Sequence, residues 1–319
     1  MPLDPAAKRF LDRLAAVNPP SALSLTVSER RSALEQLLKL GGSPQPLRSI
    51  EERSLPGPAG PLPIRIYTPE GAAAGPQPAL VYFHGGGLVA GSLETHDGIC
   101  RSLAQASRCR IIALDYRLAP EHPFPAAIAD GCAAVAWLSH HARELGIDPE
   151  RLGIGGDSAG ATLATVVCQL TSARDVPLAA QLLICPITDL TAATESRREF
   201  AHGYLLDEAI LQHDLEHYIG AHVDPADPRV SPLRAVSLAG LPSSSIHTAE
   251  FDPVRDEGRA YAERLREAGV PTRYRCHSGM MHLFYGLSAF IPYAASAFEL
   301  IGADVRALLS ADEPAVSEG

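Results

Sequence analysis

Gly156-Asp157-Ser158-Ala159-Gly160 decides the fold, because two glycines flank a serine between a strand-like run and a helix-like one. The run before it, Arg151-Leu-Gly-Ile-Gly155, reads as a short buried strand. The run after it, Ala161 to Leu170, reads as a well-buried helix. A strand that turns sharply into a helix strains the backbone at its apex, and small neighbours let the chain bend there. The serine hydroxyl is then exposed at the top of a sheet, over the positive end of a helix. By itself the five-residue pattern is weak, so the rest of the chain must supply the remaining chemistry.

Outward from the turn, apolar runs predict further strands at Arg48–Leu55, Leu62–Tyr67, Ala79–Phe83, Arg110–Tyr116, Ala180–Cys185, Ser244–Glu250 and Thr272–Cys276. The first two flank Pro56-Gly-Pro-Ala-Gly60 as a hairpin. Helical patterns fall between the later strands, at 94–107, 126–145, 159–173, 255–268 and 287–309. Such alternation predicts an α/β protein with a mostly parallel sheet covered by helices on both faces. Residues 1–45 read as two amphipathic helices. Phe10, Leu11, Leu14 and Val17 share a face of the first; Ser28 is the expected N-cap of the second, Leu34, Leu37 and Leu38 face inward, and Gly41-Gly42 stops it. Residues 187–232 break the alternation with a polar, largely helical stretch. The expected organisation is therefore a first cap part at 1–45, a core at 46–186, a second cap part at 187–232 and the remaining core at 233–319.

Composition narrows the function classes. Of 319 residues, 46% are hydrophobic, enough for a large buried sheet, and the net charge of −10 includes no basic block, which argues against nucleic acid. No apolar run reaches the 18 residues of a membrane span, and the N-terminus lacks the apolar core of a signal peptide, so a cytoplasmic protein is expected. Six scattered cysteines form no C-x-x-C pair; they are expected to be small core residues in a reducing compartment, not a zinc or redox site. His213 and His217 stand four apart on a predicted helix with His222 nearby, but the spacing matches no metal motif, and neither metal nor cofactor is expected.

A serine nucleophile needs a base, a group to orient that base, and donors for the developing oxyanion. His84-Gly85-Gly86-Gly87 follows the predicted strand at 79–83; its glycines let backbone N–H groups face an incoming carbonyl, with the N–H of Ala159 completing the cradle. His84 is expected to hold this loop by hydrogen bonds and Gly85 to support it. Asp252 ends a strand-like run, with Glu250 and Asp256 as rivals for the same role. His282 follows Ser278-Gly-Met-Met281, completing the order Ser158, Asp252, His282 found on α/β-hydrolase sheets. Asp115, Arg117 and Glu121 are read as a buried structural cluster, and Asp157 either ties down the loop or helps place Ser158.

Taken together, His84-Gly-Gly-Gly87, Asp115-Tyr-Arg-Leu-Ala-Pro-Glu121, Gly156-Asp-Ser-Ala-Gly160, Asp252-Pro-Val-Arg-Asp-Glu257 and Gly279-Met-Met-His282 resemble the hormone-sensitive-lipase-like carboxylesterases, the bacterial family IV branch of the α/β-hydrolase fold. The likeness covers nearly everything from about 45 to 305. It implies an eight-stranded sheet, a two-part helical cap, and metal-free hydrolysis of short- to medium-chain esters through an acyl-enzyme. It also implies Ser158, Asp252 and His282 as the triad, with Gly86, Gly87 and Ala159 as oxyanion donors. The partner is a small-molecule ester; relatives of this kind often dimerise, though nothing in the chain demands a homodimer. Leu88 stands where the family usually has Phe or Trp, and Leu283 where a glycine usually follows the histidine. Leu88, Tyr204, Leu205 and Leu206 are the expected pocket residues. Amide or peptide hydrolysis on the same triad, and a non-catalytic small-molecule receptor, are the alternative readings.

Overall fold

The computed structural model describes residues 2–72, 75–173 and 176–310; the last residues of the expected 233–319 core segment lie outside this range. Eight strands form one sheet: β1 (Ser49–Gly57), β2 (Gly60–Thr68), β3 (Gln77–Phe83), β4 (Arg110–Leu114), β5 (Ile147–Asp157), β6 (Ala180–Ile184), β7 (Ser243–Phe251) and β8 (Thr272–Met281). Their spatial order is β1-β2-β4-β3-β5-β6-β7-β8, antiparallel only at β1–β2 and β2–β4. The continuous apolar runs explain the parallel centre. Leu80 and Tyr82 of β3 point into one hydrophobic cluster and Val81 and Phe83 into the other, so each strand is buried on both faces. Helices α4 (Ala126–His141), α5 (Ala159–Ser172) and α8 (Arg255–Glu267) cover the face of Val81 and Phe83. Helices α3 (Asp97–Ser107) and α9 (Tyr293–Leu308) cover the face of Leu80 and Tyr82.

From β3 the chain steps outward to β4, then returns to place β5 on the other side of β3. The crevice beyond the carboxyl ends of β3 and β5 is thus a topological switch point, where open α/β sheets hold their ligands. Within β5 the glycines have a packing reason. A Cβ on Gly155 would sit 2.8 Å from the Leu182 carbonyl oxygen of neighbouring β6.

Two N-terminal helices, α1 (Pro5–Ala16) and α2 (Val27–Lys39), and two after β6, α6 (Glu195–Glu199) and α7 (Glu208–Ile219), lie outside the sheet layers. Asp4 caps α1 by accepting from the Ala6 and Ala7 amides. The cap of α2 is Thr26, not Ser28, because Thr26 and Glu29 satisfy each other's orphan amides in a capping box, leaving Ser28 inside the helix. Val17 is 72% exposed at the end of α1, so it does not share the buried face of Phe10.

Other boundaries shift too. Strand β8 runs on to Met281, with a register shift opposite Ala249/Phe251 and Gly279 at φ +73°, so the residues before His282 are strand and not loop. Helix α4 stops at His141 before a 3-10 turn, and α9 begins only at Tyr293. Cys100, Cys109, Cys168 and Cys185 are buried, whereas Cys132 and Cys276 are half-buried, and no disulfide occurs among the described residues.

Candidate active site

Strand β5 passes directly into α5 through Ser158, whose backbone sits at φ +53°, ψ −127°. For a non-glycine residue this region costs on the order of 1–3 kcal/mol, sustained only where the surroundings over-determine it. Here they do. The Ser158 amide donates to the Ile184 carbonyl at 2.8 Å, and its own carbonyl accepts from Ala161 at 3.0 Å. The flanking glycines are steric necessities. A Cβ on Gly156 would lie 2.5 Å from the Phe83 carbonyl oxygen, and one on Gly160 2.1 Å from the same atom and 2.3 Å from the His84 oxygen. Strand β3 and the turn are thereby pressed backbone to backbone.

Asp252 follows β7 and His282 follows β8, so both sit at the carboxyl edge of the sheet alongside Ser158. Nδ1 of His282 lies 2.7 Å from Oδ2 of Asp252, and Nε2 lies 2.9 Å from Oγ of Ser158. All three are buried, Asp252 completely. The other Asp252 oxygen accepts the Val254 amide at 3.0 Å, fixing the carboxylate plane. This chain can take a proton from a hydroxyl and carry it on an imidazole braced by a carboxylate. The rival acids are engaged elsewhere: Glu250 accepts the Gly279 amide, and Asp256 pairs with Arg255 and accepts the Ser196 amide.

After β3, Gly86 (φ +119°), Gly87 (φ +69°) and Leu88 (φ +62°) turn the loop back on itself, with Val89 and Ala90 donating to the Gly86 carbonyl. Among the described residues no acceptor is bound to the Gly86, Gly87 or Ala159 amides. Gly86, Gly87, Ala159, Ser158 and His282 all line one cavity of about 690 Å³. His84 is buried beneath the loop, stacked on Tyr116 with ring centroids 4.3 Å apart and Nδ1 2.9 Å from the Gly85 carbonyl. Burial, with His96 alongside, pulls its pKa down to about 3 and keeps the imidazole neutral.

Asp157, left open by the sequence, is a hub. Fully buried, it accepts from the Tyr82 hydroxyl at 2.7 Å, the Tyr285 hydroxyl at 3.1 Å and the Gly85 amide at 3.2 Å, with His96 Nε2 at 3.3 Å. Burial opposes its charge, yet His96 and the two phenols together hold its pKa below the ordinary value. Asp157 therefore ties the glycine loop to the residue next to Ser158. Sequence reasoning missed His96, Tyr82 and Tyr285. Tyr82 sits in an apolar strand run and carries no local mark of this role.

The cavity walls come from α1, α2, the 19–25 connection, residues 202–218 and the glycine loop. Leu88, Leu205 and Leu206 line it; Tyr204 instead packs on Phe200 and Phe251, with centroids 5.1 and 5.6 Å away. Leu283, beside His282, also lines it and adopts φ +61°, the left-handed conformation that favours glycine. Asp115, Arg117 and Glu121 do not form one cluster. Arg117 pairs with Asp130 at 2.7 Å and Glu121 with Arg31 of α2 at 2.6 Å, each drawn to a partner from another element. His213 and His217 have ring centroids 4.4 Å apart with their planes tilted, but His213 Nδ1 faces Asp214 and His217 Nδ1 donates to the His213 carbonyl. Among the described residues, Cys185, Asp252 and His282 alone have ligand atoms close enough to hold a metal. Burial drives the Cys185 thiol well up, and the other two are bonded to each other, so this grouping suits proton handling better than ligation.

The chain matches the family described as alpha/beta hydrolase fold over residues 80–286. It is 43% identical to the carboxylic ester hydrolase LipN of Mycobacterium tuberculosis across 81% of this chain and 70% of LipN. An arylesterase of Saccharolobus solfataricus is 36% identical, across 90% and 93% of the two chains. Among solved structures, an ester-hydrolase from the metagenome of Lake Arreo, in complex with a bipyridine phosphonate derivative, superposes with a TM-score of 0.93 at 42% identity, covering 96% of this chain and 98% of the other. No helix among the described residues is long and apolar enough to cross a membrane. The chain belongs to the alpha/beta hydrolase fold family and is a carboxylic ester hydrolase.

Proposed function

We propose that this enzyme is a serine carboxylesterase of the hormone-sensitive-lipase-like, family IV branch, cleaving short- to medium-chain esters through an acyl-enzyme. The observation that carries the proposal is the unbroken line of hydrogen bonds from Asp252 through His282 to Ser158, 2.7 and 2.9 Å long. Ser158 Oγ attacks the ester carbonyl while His282 Nε2 takes its proton, and Asp252 holds the imidazole by Nδ1–H. The carbonyl oxygen, now anionic, is received by the amides of Gly86, Gly87 and Ala159. Each such donor typically lowers a barrier by about 2.7–4 kcal/mol. The tetrahedral species collapses, the C–O bond to the alcohol breaks, and His282 returns the proton to the leaving oxygen. Water deprotonated by His282 then attacks the acyl carbonyl, and collapse frees the acid and Ser158.

In this reading residues 1–45 and 187–232 are two halves of a cap that closes the site from solvent. Its leucines make the cavity wall largely apolar, which favours acyl groups of short to medium length. The compartment in this reading is cytoplasmic, in keeping with six scattered cysteines that form no C-x-x-C pair. Replacing Ser158 by Ala is expected to leave the circular dichroism spectrum unchanged while p-nitrophenyl butyrate turnover falls by about a million-fold, the loss found when a triad serine is removed. Near-normal turnover by Ser158→Ala would overturn the assignment. Matched ester and anilide substrates separate an esterase from an amidase on the same residues.

A further inference from the structure

One ion pair on the cavity wall has no part in that reaction scheme. Arg30 of α2 and Asp214 of α7 meet in a two-pronged pair, Nε to Oδ1 at 3.2 Å and Nη2 to Oδ2 at 2.8 Å. Both side chains are nearly buried, at 11% and 6% exposure, and both line the cavity that contains Ser158. His213 Nδ1 lies a further 3.0 Å from Asp214 Oδ1. What the carboxylate touches is the glycine loop. A Cβ built on Gly87 would lie 1.9 Å from Asp214 Oδ2 and 2.3 Å from its Cγ. With a carbon–carbon bond of about 1.5 Å, the carboxylate oxygen is at most about 3.4 Å from the Gly87 Cα.

That contact poses an electrostatic problem. The Gly87 amide is one of the donors assigned to the oxyanion, and a bare carboxylate against the same residue would repel the charge that develops there. In a partly desolvated site such repulsion is little screened. The guanidinium cancels it, and a planar fork holding a planar carboxylate also fixes where the wedge stands. The Gly87 backbone, at φ +69°, has no side chain with which to hold its own place.

We propose that Arg30 and Asp214 are positioning residues for the oxyanion cradle: the pair, joining α2 to α7, sets a charge-neutral wedge against Gly87 that holds its amide toward the substrate. The inference rests on the oxyanion reading of the glycine loop. It makes docking of the two outer helices and completion of the cradle a single event.

The test is a set of four variants, Arg30→Met, Arg30→Lys, Asp214→Asn and the Arg30→Met/Asp214→Asn double, assayed on p-nitrophenyl butyrate. Affinity for a trifluoromethyl ketone, which forms a serine hemiketal oxyanion, is measured in parallel. Arg30→Met leaves an unopposed carboxylate beside the cradle. It is expected to lower kcat about 10- to 100-fold with KM changed less than about threefold, and to weaken ketone binding by the same factor. Asp214→Asn keeps the shape without the charge and is expected to lose less than about fivefold. The double variant should recover to the Asp214→Asn level, and Arg30→Lys should lie closer to wild type than Arg30→Met.

A merely structural pair would move the melting temperature without this kcat-specific rescue. Three results would overturn the inference: Arg30→Met within about twofold of wild type in kcat, a loss not restored in the double variant, or a loss confined to KM. If Arg30→Met does not fold, Arg30→Gln, which likewise leaves the carboxylate unopposed, takes its place under the same three criteria. Turnover by Ser158→Ala would instead mark failure of the underlying reading.

Discussion

Replacing Asp157 by Asn tests whether the buried hub beside Ser158 shapes the site or merely fills space. The carboxylate accepts from two phenols at 2.7 and 3.1 Å and from the Gly85 amide at 3.2 Å, with His96 at 3.3 Å. Asparagine keeps one oxygen, which can still serve Tyr82 and Gly85, but turns an NH2 group toward Tyr285 and His96. Those two must then become acceptors. The charge assistance at all four contacts disappears. Bonds to a charged partner contribute about 1.5–3 kcal/mol against about 0.5–1.5 for neutral ones, so roughly 1 kcal/mol is lost at each contact. Relaxation and the rearranged partners recover part of this, leaving about 2–4 kcal/mol of net destabilisation. Urea unfolding at pH 7.5 reads that loss directly. Because Gly85 begins the glycine loop, kcat should fall about 10- to 100-fold with little change in KM, the signature of an interaction felt in the transition state. An Asp157→Asn enzyme with wild-type kcat and wild-type urea midpoint would refute the reasoning.

Gly160→Ala should destabilise by more than about 3 kcal/mol and abolish ester turnover, since its Cβ would meet two backbone oxygens that cannot move aside. Gly98→Ala, exposed in α3 with nothing within 4 Å, should instead stabilise by up to about 1 kcal/mol in the same urea titration. His84 and His277 are both pulled down to about 3, chiefly by burial and then by a neighbouring histidine. Their folded values lie below the unfolded value of 6.5, so the stability they confer is complete above pH 6.5 and drains away as pH falls toward 3. His277→Gln should therefore flatten the fall in unfolding free energy between pH 6.5 and 4.5 by up to about 1.4 kcal/mol per pH unit, and an unchanged slope would contradict this. Leu283→Gly removes a buried side chain worth about 1.5–3 kcal/mol but also a left-handed leucine costing about 1–2, so its urea midpoint should move far less than a typical buried Leu→Gly change.

What could be read from the chain was what local rules enforce. The run Ala79–Phe83 is a strand because every one of its residues is buried on a two-sided sheet, and the strand-to-helix turn at Ser158 announces itself through glycines that backbone contact requires. The order of Ser158, Asp252 and His282 was equally plain, whereas their separations belong to the folded chain. Contacts between elements far apart in sequence were not legible. Arg30 and Asp214 are 184 positions apart, and on the polar faces of amphipathic helices each looks like an ordinary solvated charge. The supposed cluster of Asp115, Arg117 and Glu121 failed for the same reason. Nearness in sequence does not make partners when Asp130 and Arg31 are brought closer by α4 and α2. Tyr204 was misplaced because an aromatic on an irregular segment packs equally well inward or aside, and Phe200 and Phe251 drew it aside.

The contacts also separate what can change from what cannot. At Gly156 and Gly160 the crowding atoms are the main-chain oxygens of Phe83 and His84, which every sequence carries, so no substitution elsewhere makes room there. At Leu88 and Leu283 the constraint is one of backbone conformation. A left-handed residue other than glycine carries a moderate strain, and both side chains line the cavity that Ser158 and His282 share. In the proposed reading the chemistry rests on backbone packed on backbone between β3 and α5, while substrate preference is expected to follow the side chains that line the cavity from the glycine loop, α2 and α7. Substitutions at Leu88, Leu205 or Leu283 are accordingly expected to change acyl preference, read from a p-nitrophenyl ester chain-length series, with kcat for a small ester held near its starting value. The same change sought at Gly85 or Gly87 would fail, because a Cβ there meets the carboxylates of Asp157 and Asp214 before it meets any substrate.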